Sequence, residues 1–194
     1  MSKIGMLSAA AIVGLMAGAG AMAQESVTVL GPSLFDECGN AAAAAQRTGH
    51  VGIADMHTCD AAIGRSWSTV GQTANAFVNR GTLHLARGEN DKAINDFTQA
   101  IKADPSLAAA YNDRGVALSA THRQADAIRD FSQALALKAE NADQVTFNRA
   151  MAYEDTGDLK RAYIDYRKAA ELNPSWEQPA RQLARFNVKA SPAS

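Results

Sequence analysis

The sequence predicts an all-α domain, a stack of helical hairpins, and three observations carry that prediction. One template recurs at a spacing of 34 and then 35 residues; within each copy apolar residues fall at three- and four-residue steps; and Gly, Asn, Asp or Pro breaks the pattern where a helix has to end. At 194 residues and 47% hydrophobic content, the chain can build one domain with its own core. Lys plus Arg number 19 against 20 for Asp plus Glu, and neither sign forms a block, which excludes a basic footprint for nucleic acid or an anionic membrane surface.

Residues 1–23 have the grammar of a secretory signal: Lys3, an apolar run from Ile4 to Ala21, and the small-residue site Ala21-Met22-Ala23 before Gln24. The run is rich in Gly and Ala and ends in a cleavage motif, which favours removal over a retained anchor. Gln24, not Cys, follows the cut, which argues against a lipid-anchored form. The expectation is a periplasmic or secreted protein with no membrane insertion once the signal is gone.

The segment 24–73 begins with an extended lead-in, Gln24 to Gly31, and holds both cysteines, Cys38 and Cys59. They are not spaced as C-x-x-C, so a structural bridge in an oxidising compartment is preferred to a redox-active dithiol. Two readings of the segment stand. Placing Ala62-Ile63 on Ala100-Ile101 gives a divergent leading hairpin, Asp36 to Gln46 and Ile53 to Arg65, with Cys59 at an aromatic position of the template; the other reading is an irregular, partly helical extension.

The template itself is clearest from 74 to 175, in three copies spanning 74–107, 108–142 and 143–175. Gly81, Gly115 and Ala150 hold one register; so do Ala93, Ala127 and Ala162; Phe97, Phe131 and Tyr166; and Ala100, Ala134 and Ala169. Small residues let two helices approach while the aromatic fills the space left. Pro105 and Pro174 close the second helices of copies one and three, and Ala139 takes that place in copy two. Trp176, Leu183, Phe186 and Val188 mark 176–189 as a terminal capping helix, with Pro179 tolerable only in its first turn, and 190–194 as a frayed tail.

These copies resemble tetratricopeptide repeats, over roughly three fifths of the chain after residue 23. The departures are Thr146 at a usual aromatic position, His122 at a usual loop Gly, and Ala139 for Pro. The resemblance implies a right-handed superhelical stack of helix-turn-helix hairpins with a C-terminal capping helix, whose first helices line a concave groove for a partner polypeptide.

Arg80 and Asp96, Arg114 and Asp130, and Arg149 and Asp165 repeat at a separation of 16 residues, as an ion pair or hydrogen bond inside each hairpin would. Just before those arginines stand Asn79, Asp113 and Asn148, with Asn112 beside Asp113. By resemblance, an asparagine at this register hydrogen-bonds the backbone of an extended peptide, because an amide offers both donor and acceptor. Asn75, Thr82, Gln144, Met151 and Glu154 are further groove candidates. Val78 and Thr82 stand where a carboxylate clamp would carry Lys and Asn, so no clamp is expected.

No catalytic, metal or cofactor motif emerges. His50, His57, His84 and His122 lack paired ligand spacing, and no Gly-rich phosphate loop or nucleophile elbow occurs in the mature segment. The functional expectation is an exported scaffold or adaptor that binds a protein or peptide in its groove and is not an enzyme. A thiol-disulfide protein using Cys38 and Cys59, and a self-assembling homo-oligomer, are the alternatives.

Overall fold

The computed structural model describes residues 33–66 and 68–189. The signal segment 1–23, the lead-in Gln24 to Gly31 and the tail 190–194 lie outside the described residues. Within them the chain forms nine helices and no strand: α1 (Leu34–Thr48), α2 (Ile53–Ile63), α3 (Val70–Ala86), α4 (Asn90–Ala103), α5 (Ala108–Ala120), α6 (Gln124–Ala136), α7 (Ala142–Asp155), α8 (Leu159–Leu172) and α9 (Glu177–Lys189). Consecutive helices pack as antiparallel hairpins, α1–α2 through α7–α8, and each hairpin stacks on the next, with α9 laid against α8.

Local chemistry sets the helix ends. Ser33 and Asp36 form a reciprocal cap on α1, and Thr69 and Gln72 do the same for α3, each satisfying backbone N–H groups that a first turn leaves free. Inside the three repeats the hairpin turns share one pattern: the N–H of Glu89, Arg123 and Asp158 donates back to the carbonyls of His84, Leu118 and Tyr153, each at 2.9 Å. That geometry needs a left-handed residue, supplied by Gly88 (φ 72°), His122 (φ 60°) and Gly157 (φ 80°). Only His122 carries a Cβ there, a strain of about 1 kcal/mol. Lys138 (φ 60°) makes a second left-handed turn after α6, where copy two has Ala139 and no proline.

The core follows the template. Phe97, Phe131 and Tyr166 are buried with the alanines of their registers. Gly81 and Gly115 are required by contact: a Cβ on either would stand 2.6 Å from the ring of Phe97 or Phe131. Copy three has Ala150 at that point, opposite Tyr166, whose hydroxyl donates to Glu154 Oε2 at 2.9 Å. Trp176, one residue before α9, packs tilted on Phe147 with ring centres 4.8 Å apart, and Phe186 of α9 reaches Tyr163 and Tyr166, so rings cover the end of the stack. Pro179 is buried in the first turn of α9, where its missing N–H costs nothing.

The segment before the repeats folds as α1–α2. Cys38 and Cys59 are bonded and fully buried, joining the two helices, and Ala42, Ala45 and Ala62 pack with them against Ala76 and Leu83 of α3.

Candidate protein-binding groove

The three Arg–Asp pairs decide how the helices are held. Arg80, Arg114 and Arg149 each grip the carboxylate of Asp96, Asp130 or Asp165 through Nε and Nη2, at 2.7–3.0 Å, in a two-pronged geometry that suits guanidinium and carboxylate. The remaining nitrogen, Nη1, reaches one hairpin back: to Asp60 Oδ1 at 2.7 Å, Thr98 Oγ1 at 3.2 Å and Ser132 Oγ at 3.1 Å. Each arginine therefore locks its own hairpin and the joint to the one before. Asp60 sits two residues before Ala62, as Thr98 does before Ala100, so α2 occupies the template's second-helix register. The strong Asp96 bond, with Asp60 added, raises the Arg80 pKa, and Asp130 does the same for Arg114.

With the arginines turned inward, the residues before them turn outward. Asn75 and Asn79 line a cleft of about 470 Å³ between α1 and α3, facing Asp36, Gly39 and Asn40. Asn148 and Met151 line a second, of about 150 Å³, between α5 and α7, with Val116, Ser119 and Asp155. Met151 is 47% and Val116 37% exposed, an apolar pair left open to solvent. Asp113 holds the register between Asn79 and Asn148. It is only partly exposed, and burial holds its carboxyl up at about 6, against a hydrogen bond from Asn112 Nδ2 at 2.9 Å that works the other way.

Two expected groove residues are buried. Thr82 is 6% exposed and its hydroxyl donates to the Val78 carbonyl; Asn112 is 8% exposed, at the register of buried Phe147 and not of Asn148. α1 packs on α3, and Asn112 shares the register of Val78 and Phe147, about 100° around α5 from Asp113. Gln144 is exposed but lines neither cleft, and Glu154 is engaged by Tyr166 and by Arg185 at 3.2 Å. Val116 and Asp155 were missed, although Val116 shares the register of Thr82 and Met151. His84 has a structural partner: its Nδ1 meets Glu89 Oε2 at 2.7 Å, which holds the Glu89 carboxyl down at about 2. No group of three or more His, Cys, Asp or Glu among the described residues is arranged to hold a metal.

Family models fit this geometry. Residues 74–121 match a model described as TPR repeat, and residues 144–176 one described as Tetratricopeptide repeat. These segments are tetratricopeptide repeats. The gap between the two matches holds His122, Lys138 and Ala139, the departures of copy two, yet α6 packs as α4 and α8 do.

Human Tetratricopeptide repeat protein 6 is 33% identical over 103 residues, 53% of this chain and 18% of that protein; Protein unc-45 homolog B of Danio rerio is 28% identical over 99 residues, 48% of this chain and 10% of that protein. The chain spans a quarter or less of the length of these curated relatives. Among solved structures, the first TPR of Spaghetti (RPAP3) bound to HSP90 peptide SRMEEVD superposes with a TM-score of 0.60 at 24% identity, covering 65% of this chain and all of that one. The MamA RS-1 ArsTM double mutant gives 0.67 at 16% identity, covering 83% of this chain and 87% of that one. At such identities the likeness is one of fold.

Proposed function

We propose that this protein is an exported adaptor that holds an extended segment of a partner polypeptide in the groove between the first helices of its hairpins. The observation that carries the reading is the row of Asn79 and Asn148, each opening on a cleft, beside the solvent-exposed pair Val116 and Met151. Amides can pair with a peptide backbone whatever its sequence, and an exposed apolar pair gives one partner side chain somewhere to bury. A solved relative of this fold holds a peptide, which supports the same use here.

Export is supported by the leader grammar of residues 1–23 and by the Cys38–Cys59 bond, since disulfides persist in oxidising compartments. No helix among the described residues is long and apolar enough to cross a membrane. Complete burial of both sulfurs favours a structural bridge over thiol exchange, which needs access.

The test is capture from an envelope extract with the unaltered chain and with an Asn79→Ala, Asn148→Ala, Met151→Ala variant whose helicity is unchanged by circular dichroism. The groove reading expects a partner retained by the first and lost by the second; the same proteins on both would sink it.

A further inference from the structure

The clefts of the groove carry acidic side chains and, among the described residues, no cation of their own. The lining of its two clefts includes Asp36 and Asp155 and no Lys or Arg, because the arginines of α3, α5 and α7 are committed to the Asp96, Asp130 and Asp165 clamps behind it. Asp113 holds the register between Asn79 and Asn148, has Asn112 Nδ2 as its hydrogen-bond donor and forms no ion pair among the described residues. The same Asn112 amide leaves its own oxygen buried with no donor. One buried acceptor, Asn112 Oδ1, therefore lacks the donor that a buried polar group requires, beside a carboxylate with no counter-charge.

We infer that the groove takes a cationic partner segment, in which a Lys or Arg side chain meets the partly exposed Asp113 carboxylate beside Asn112, while a neighbouring apolar side chain packs on Val116 and Met151. A guanidinium or ammonium brings several donors and a positive charge to a place that has acceptors and negative charge. An acidic chain terminus meets no cation there and would face Asp113 and Asp155. The burial that holds the Asp113 carboxyl up is the condition an incoming cation relieves. This inference rests on the groove reading above, and its test separates the two.

The probes are two end-blocked hexapeptides, one alternating Lys with Leu and one alternating Glu with Leu, titrated by fluorescence anisotropy against the purified chain, its Asp113→Asn and Asp155→Asn variants, and the Asn79→Ala, Asn148→Ala, Met151→Ala variant. The Lys probe is expected to bind about tenfold more tightly than the Glu probe, to lose most of that margin in Asp113→Asn, and to weaken as salt is raised. A Glu probe that binds as well or better, and is lost in the triple variant, overturns the cationic assignment and leaves the groove. Binding of either probe that the triple variant does not weaken overturns both readings. Failure of the Lys probe to bind at about 1 mM, an affinity worth about 4 kcal/mol, overturns the inference as well.

Discussion

The leading hairpin α1–α2 and the three hairpins behind it are fastened by different means. In the repeats an aromatic ring on the second helix lies against a Gly or Ala on the first, and an arginine fork ties the same two helices. In α1–α2 the interior is Ala42, Ala45 and Ala62, and the place of the ring is taken by Cys59, bonded to Cys38. A hairpin lined with alanine buries little apolar area, so packing alone holds it weakly. A bond closing a loop of 21 residues contributes about 3 kcal/mol by restricting the unfolded chain. The covalent tie stands where ring and fork are both missing. Arg80 joins the two regimes, with one nitrogen on Asp60 of α2 and two on Asp96 of α4.

The largest expected effect breaks the fork. Arg114→Ala leaves the Asp130 carboxylate, whose side chain is 9% exposed, buried without its partner, and should cost about 3–5 kcal/mol in urea unfolding. A loss below about 1 kcal/mol would mean that ring packing alone fastens the repeats.

Next is the bond. Cys38→Ala with Cys59→Ala should cost about 3 kcal/mol, localised to α1–α2, so hydrogen exchange should accelerate there while α5–α8 keep their protection. Uniform acceleration would show that the leading hairpin is no separate unit of stability.

A smaller effect contrasts the repeats with each other. The folded Asp113 carboxyl is held at about 6 and the unfolded group titrates near 3.8, so between those values the folded state binds more protons and stability falls as pH rises. Asp113→Asn should therefore stabilise the chain at pH 8 by about 1–2 kcal/mol and do nothing below pH 3.8. Thermal midpoints at both ends of that window decide it; an equal gain at both would remove the titration argument.

The smallest effect tests the joint. Asp60 is largely exposed, so Asp60→Asn, which removes the charge opposite Arg80, should cost under about 1 kcal/mol. A larger loss would place the anchoring of α1–α2 in the ion pair instead of the bond.

Much of this was legible from residue types at fixed spacing. The Gly, Ala and Phe registers required close helices, and the 16-residue Arg–Asp spacing announced the fork. The third arginine nitrogen was not legible, because its partners, the Asp60 carboxylate and the Thr98 and Ser132 hydroxyls, differ in charge and belong to the neighbouring hairpin. The burial of Thr82 was not legible for a similar reason: its register is exposed in α5 and α7 but buried in α3, the helix that packs on α1. Val116 was legible in principle, one repeat before Met151 at the same register.

Sequence by itself determined the hairpin, since helix periodicity, caps and the small-against-aromatic code act within about 35 residues. Tertiary structure decided which positions of that repeated pattern see solvent, because exposure depends on the neighbouring hairpin, and the copies differ in what lies beside them. The template gives every copy the same position before its arginine, but only stacking opened Asn79 and Asn148 on clefts and left Asp113 partly buried.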